Sequence, residues 1–324
     1  MSEMNVFQFT HSDLDGVGCA VIANIVYRNC LQTTFVDYKA SGDTGSVDDE
    51  IRKFLPTVAY AENDPATRVV LLISDITPSE EVCELIDQVH KLGWVAVGCY
   101  DHHKDKKELL GKYAWGHYRA DACGTKFLYQ VFDADEHGHA KLEQQGVEAF
   151  AQAVDAYDRW QLDDPERDRG ETLNRLLWFL GIRTFVREFS QEITRDQAPD
   201  FGYINSRLHD QEEEKIAKAL SAPVTADSDY AGHKFGVLVA TANASQIGHR
   251  LLEKYPSFEY VAIVNPVKNV VQLRSRAGGF DVGVLAKRMH PHGGGHQAAA
   301  GFSFDMRCAR QVIDGLRVGL GNVY

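Results

Sequence analysis

The apolar positions of the first hundred residues fall into short runs, separated by polar turns, that alternate between strand-like and helical spacing. Residues 5–10 (NVFQFT) read as a strand and residues 17–27 as an apolar helix rich in small side chains. A second strand is predicted over 33–37 and a second helix over 47–55. Residues 68–74 (RVVLLIS) form a continuous apolar run between turn signals, the pattern of a central parallel strand buried on both faces. A third helix follows over 80–92, with Thr77 or Ser79 as its cap and Pro78 near its start. Residues 94–100 give a fourth strand. This alternation predicts an α/β fold with a doubly wound parallel sheet.

Helices are expected next over 126–132 and 147–154, with His137 and His139 in a charged loop between them. Residues 163–170 (DDPERDRG) read as a charged linker, and 173–180 and 212–220 as helices. Residues 161–225 are therefore a helical connector. Beyond it, strands are predicted over 234–240, 260–265 and 270–274 and helices over 246–254 and 282–288, a smaller C-terminal α/β domain with a mixed sheet. The expected domains are 1–160, 161–225 and 226–324.

Polar residues with metal chemistry gather where strands end, and in an open α/β sheet ligands bind at the strands' carboxyl ends. His11, Asp13 and Asp15 follow the first strand. If the turn is extended, alternate residues point the same way and both carboxylates aim at one point. One aspartate would satisfy helix capping; the second is in excess. Asp75 ends the third strand, and Asp101-His102-His103 ends the fourth. Asp155 and Asp158 lie at the end of a helix, against the unfavourable pole of its dipole, which suggests a counter-cation. The small residues and hydroxyl at Ala122-Cys123-Gly124-Thr125 would let a helix N-terminus face an anion, or would simply cap it. Near the C-terminus, Gly293-Gly294-Gly295-His296 offers backbone amides to a phosphate. Arg274 and Arg276, two apart beside Ser275, would offer forked donors to the same anion.

Charge sharpens this picture. The 324 residues carry a net charge of -12, which argues against a broad basic surface for long nucleic acid. Residues 230–324 nevertheless hold 11 Lys/Arg against 5 Asp/Glu, a net of +6, and leave -18 on the rest. An acidic part suited to cations thus precedes a basic part suited to an anion. The six cysteines are scattered without a CxxC, as in a reducing compartment. No basic leader opens the chain, and no apolar run approaches the ~20 residues that span a bilayer, so a cytoplasmic protein with no membrane contact is expected.

Asp13-x-Asp15, Asp75, Asp101-His102-His103 and the Asp155/Asp158 pair, in this order, resemble the four motifs of the DHH phosphoesterase superfamily. The tail from Leu273-Arg274-Ser275 through Gly293-Gly294-Gly295-His296 to Ala299-Ala300-Gly301-Phe302 resembles the DHH-associated substrate-binding domain. The connector and the sequence around Asp158 look closest to the NrnB-type oligoribonucleases. The resemblance implies two Mn²⁺ ions, with Mg²⁺ or Co²⁺ as substitutes. Asp13 and Asp15 would each bind one ion, Asp75 would bridge them, and His102 with a motif-four aspartate would complete the second site. Asp155 is preferred there on its position after the helix, and Asp158 is kept on its DxW pattern. His103 would face the phosphate and Asp101 would orient an imidazole. The superfamily's first-site histidine falls four residues before Asp13, where this chain has Phe9; either His11, two before, takes over part of that role, or the first ion is bound more weakly.

The function implied is Mn²⁺-dependent hydrolysis of short single-stranded oligonucleotides, held by Arg274, Ser275, Arg276, the glycines and His296. The alternative is a phosphatase or phosphodiesterase for a 3′,5′-bisphosphonucleoside, a cyclic nucleotide or a linear dinucleotide. A non-catalytic nucleotide sensor is disfavoured by intact acids at all four motifs. A homodimer is compatible with either hydrolase.

Overall fold

The apolar run at residues 68–74 is the middle strand of a five-stranded parallel sheet, as its unbroken hydrophobicity predicts. The structure, a computed structural model, describes residues 4–39, 42–59, 68–142, 145–192, 202–229, 232–291 and 293–303. The chain forms two units, divided between Asn205 and Ser206. Cys308 lies outside the described residues.

In the first unit the elements run β1 (Met4–His11), α1 (Leu14–Tyr27), β2 (Leu31–Val36), α2 (Val47–Ala59), β3 (Arg68–Ser74), α3 (Glu80–His90), β4 (Val95–Asp101), α4 (Lys107–Leu110), β5 (Gly116–Tyr118), α5 (Gly124–Asp133), α6 (Glu136–Leu142), α7 (Gln145–Asp158), α8 (Arg167–Leu180) and α9 (Ile182–Glu192). The strand order is β2-β1-β3-β4-β5, and every pairing is parallel. Alternate side chains of each strand enter opposite layers. Val6 and Leu72 pack with α1, α5, α7, α8 and α9, whereas Phe9, Leu71 and Ile73 pack with α2 and α3. Each fully buried aliphatic chain of this kind contributes roughly 1.5–3 kcal/mol. The chain leaves β1 in one direction for β2 and returns on its other side as β3. The loops therefore diverge at the carboxyl ends of β1 and β3, opening a crevice there.

Several expectations need correction. Residues 136–142 are helical, so His137 and His139 sit on α6 and not in a loop. The linker expected over 163–170 is helical from Arg167. The helices α8 and α9, read as connector, add Leu173, Leu176, Leu177, Phe185 and Phe189 to the core around α1. The short strand β5 has no period long enough to show in sequence.

The second unit carries most of α10 (Gly202–Leu220), then β6 (Thr225–Ser228), β7 (Lys234–Val239), α11 (Ala244–Lys254), β8 (Tyr260–Asn265), β9 (Val270–Ser275), α12 (Val282–Met289), β10 (Gly294–Gly295) and β11 (Ala299–Ser303). Its sheet, β10-β11-β9-β8-β7-β6, is mixed: β7 and β8 are parallel and the other pairs antiparallel. One face packs on α12 and the other on α10 and α11.

Candidate metal centre

The crevice at the carboxyl ends of β1 and β3 is where the predicted acids meet. The chain turns sharply after β1. Asp13 is the N-cap of α1, its carboxylate accepting the Gly16 N–H at 3.1 Å. Glycine is required at 16, because a Cβ there would lie 2.2 Å from the His11 carbonyl oxygen. The extended turn expected through Asp15 is instead the first turn of the helix. Asp15 is buried, and its two oxygens accept the N–H groups of Gly124 and Thr125 at 2.6 and 2.7 Å. The α5 N-terminus does face an anion, and that anion is Asp15.

Asp75, just past β3, is 1% exposed and has a left-handed backbone, φ 56°. Its N–H is held by the Tyr100 carbonyl at 2.9 Å, yet neither carboxylate oxygen accepts a hydrogen bond. An unpaired buried carboxylate is costly. Burial and the neighbouring Asp15 and Asp13 carboxylates push its pKa well above the ordinary range. Asp158, at the end of α7, is pushed up by the same causes. A positional strain and an uncompensated charge at one residue are a signature of a functional site.

Three donor groups share Asp75; in the third Asp101 and His103 are committed to each other, which leaves two. In one, His11 Nδ1 lies 2.9 Å from Asp13 Oδ2 and 3.8 Å from Asp75 Oδ2. In the other, His102 Nε2 lies 3.4 Å from Asp15 Oδ2, 3.2 Å from Asp75 Oδ1 and 3.6 Å from Asp158 Oδ2. Burial and the nearby His103 lower the His102 pKa, which favours the neutral, metal-binding imidazole. Hard carboxylate oxygens with one imidazole in each group fit divalent cations such as Mn²⁺ or Mg²⁺, and a cation would supply the charge that Asp75 lacks. Phe9, where the superfamily pattern would put a histidine, is instead core, its ring packed on Phe54.

Asp101 accepts through Oδ1 from the backbone N–H of His102 (2.7 Å) and His103 (3.1 Å) and lies 2.7 Å from His103 Nδ1. Its Oδ2 accepts from the Thr77 hydroxyl at 2.5 Å. Thr77 is thus committed to Asp101 and does not cap α3, whose N-cap is Ser79. Burial would lower the His103 pKa, but Asp101 outweighs it and raises the value to about 9.

Four acidic motifs at the carboxyl edge of a doubly wound sheet, in this order, are now joined in one cluster. Two solved structures share the fold. One is a DHH domain from a member of a family of ribosomal proteins, at TM-score 0.61 and 14% identity over 99% of this chain and 87% of that one. The other is RecJ in complex with Mn²⁺ from Thermus thermophilus, at TM-score 0.55 and 15% identity over 100% of this chain and 53% of that one. The chain shares the fold of these DHH and RecJ structures. Oligoribonuclease NrnB of Bacillus subtilis is 26% identical to this chain over 304 residues, 91% of this chain and 72% of that protein. A 3′,5′-cyclic-nucleotide phosphodiesterase of Helicobacter pylori is 24% identical, with 93% of each chain covered. No protein-family model matches.

Of the two acids at the end of α7, the one whose carboxylate faces the cluster is Asp158. The preference for Asp155 gives way, because Asp155 points elsewhere. It accepts the Cys123 N–H at 2.7 Å and pairs with Lys126 at 2.8 Å, bracing the N-terminus of α5. Three neighbours of the centre were not singled out in the sequence. Asp37 pairs with His11 Nε2 at 3.6 Å and accepts from the Ser12 hydroxyl; it ends a parallel strand, the criterion applied to the other acids. Tyr38 lies beside it, and Lys126 showed no signal.

The C-terminal candidates all lie in the second unit. The Arg274 guanidinium donates to the Ser245 hydroxyl and to its neighbour's carbonyl, both at 2.8 Å. Arg276 donates to the carbonyls of Phe258 and Leu252, the latter near the C-terminus of α11. The expected fork of Arg274 and Arg276 on one anion is not formed, since each guanidinium is directed to α11 or its flank. Ser275 donates to the Phe280 carbonyl at 2.6 Å and is structural. Gly293 is needed for packing, as a Cβ would lie 2.0 Å from the Ala286 carbonyl oxygen on α12. Gly295 has φ 133°, and a Cβ at Gly294 would meet only Lys287 Cε, 3.8 Å away. The His296 N–H is held by the Ala299 carbonyl at 2.8 Å.

Proposed function

We propose that this protein is a divalent-cation-dependent phosphodiesterase that degrades short oligonucleotides, with Mn²⁺ as its preferred ion. The observation that carries the reading is Asp75: buried, without a hydrogen bond on its carboxylate, and common to both donor groups. His11, Asp13 and Asp75 would hold one ion; Asp15, Asp75, His102 and Asp158 would hold the other. Cations at such a pair of sites supply an acidified water as nucleophile and a counter-charge for the phosphate.

The chain's own groups complete the chemistry. Asp101 keeps the His103 ring oriented and protonated near neutral pH, so that an imidazolium can meet a phosphate oxygen as its charge grows. The amides of Gly124 and Thr125 fix Asp15. In the second unit, Gly294, Gly295 and His296 remain the substrate-binding candidates, whereas Ser275 and Arg276 serve the fold. Free thiols at all five described cysteines agree with a reducing, cytoplasmic setting, and among the described residues no helix is long and apolar enough to cross a membrane.

The similarity to a cyclic-nucleotide phosphodiesterase over nearly the full chain supports a second reading, hydrolysis of a small nucleotide by the same residues. One experiment separates them: Mn²⁺ with end-labelled RNA and DNA of two to about twenty nucleotides, alongside 3′,5′-cyclic AMP. Preferential loss of the shortest strands supports the first reading; turnover of cyclic AMP alone supports the second. No Mn²⁺-dependent turnover of any of them overturns both.

A further inference from the structure

The proposed function leaves Tyr38 without a role, although it borders the centre. It stands just past β2, beside Asp37, at the carboxyl edge of the sheet. Its hydroxyl accepts the Thr77 N–H at 3.0 Å. Its ring lies 6.2 Å from that of His103, nearly perpendicular at 84°, and 6.2 Å from that of His11. The Lys106 ammonium sits 4.7 Å from the ring centroid. Despite these neighbours, Tyr38 keeps 38% of its surface exposed.

A single exposed tyrosine is ordinary on a protein surface. Tyr38 differs in being fixed. The Thr77 residue that holds its hydroxyl also donates to Asp101, which orients His103. Ring and imidazole are thus tied into one hydrogen-bonded frame. A rigid aromatic surface loses little conformational freedom when a ligand covers it. The 6.2 Å spacing falls within the range at which aromatic rings pack, so a group attached to a phosphate at His103 comes within contact of Tyr38. The basic residues Lys104, Lys106 and Lys107 follow His103 on an otherwise acidic part of the chain, which favours an anionic ligand there. An aromatic face beside positive charge is how proteins hold single nucleotides without reading their sequence.

We propose that Tyr38 is the platform of a nucleobase subsite in the first unit, on which the base attached to the phosphate at His103 packs, with Lys106 steadying the ring from its face. The subsite rests on the reading of the centre as one for nucleotide phosphoesters, and it explains how a substrate of very few nucleotides is retained. It accepts any base, because every base has a π face.

The test compares AMP with ribose 5-phosphate, which carries an anomeric hydroxyl in place of the base. Binding to the full-length protein is measured calorimetrically with Ca²⁺ in place of Mn²⁺, and each ligand is checked for integrity afterwards. Wild type should bind AMP about tenfold more tightly than ribose 5-phosphate. In Tyr38→Ala that preference should vanish, with ribose 5-phosphate affinity kept within about twofold, while Tyr38→Phe retains it. Tyr38→Leu, which fills the space without an aromatic face, carries the test if the alanine variant does not fold. Equal affinities in wild type, or a preference that survives in Tyr38→Ala and Tyr38→Leu, overturn the subsite. Failure of the phosphodiesterase reading would show separately, as absent Mn²⁺-dependent turnover in wild type.

Discussion

One oxygen of Asp101 lies 2.7 Å from His103 Nδ1 and also accepts the backbone N–H groups of His102 and His103. A single buried carboxylate therefore sets the path of the chain through both histidines and the charge of the second ring. In the metal-free protein His103 should titrate near 9, against an ordinary 6.5. Because the folded value is raised, the pair stabilises the fold fully below about pH 6.5 and loses that contribution as pH rises toward 9. Histidine NMR titration of metal-free wild type and Asp101→Asn checks this: the variant should return His103 toward or below its ordinary value. An unchanged titration would remove Asp101 as the cause.

Asp75→Asn should act in opposite directions on stability and on metal. The amide keeps the side-chain shape and tolerates the left-handed backbone, but cannot ionise, so it removes the cost of holding a carboxyl without a hydrogen bond among like charges. Metal-free thermal melts should show stabilisation on the order of 1 kcal/mol. Mn²⁺ at about a hundred times its dissociation constant should stabilise wild type by about 2.7 kcal/mol, reversed by a chelator, and leave the variant's melting point unmoved.

The two aspartates of α7 should separate cleanly. Asp158→Asn should abolish phosphodiester hydrolysis and weaken Mn²⁺ binding while the metal-free melting temperature holds or rises. Asp155→Ala should destabilise the fold by about 1–3 kcal/mol, because it strands the Cys123 N–H and frees Lys126. Denaturant melts and metal titrations on both variants decide; the reverse pattern would restore Asp155 as the ligand.

Gly124→Ala should damage the centre more than the fold. Alanine suits a helix better than glycine, so local propensity does not oppose it. Its Cβ would, however, lie 2.7 Å from the Cβ of Asp75 and 3.1 Å from Asp15 Oδ2. Mn²⁺ affinity should fall at least tenfold, roughly the 10–100-fold typical of groups that support ligands, with circular dichroism unchanged.

The first unit was legible in sequence because each parallel strand is short, apolar and closed by a polar turn. The acids at the ends of β1, β3 and β4 could be read for the same reason. What could not be read depends on where side chains turn. Asp155 and Asp158 lie three apart on one helix, and sequence gives no rotation that sends one to His102 and the other to Lys126. Arg274 and Arg276 looked like a matched pair at strand spacing. The second lies past the end of β9 and turns instead to the carbonyls of Leu252, in α11, and Phe258, beyond it. Asp37 met the strand-end criterion but lacked a motif to draw notice, and Tyr38 acquires meaning only from its distance to His103.

The amides at the start of α5 have a consequence for how ligands assemble. In many folds such a helix terminus waits for a phosphate; in this one it is already filled by Asp15. On the function proposed above, a phosphoester reaching the first unit would lean on the cations and on His103, so that ion and substrate would form one linked equilibrium. Each should raise the other's affinity by the same factor, and the ion concentration in the cell would then govern how much substrate the protein holds as well as how fast it turns over.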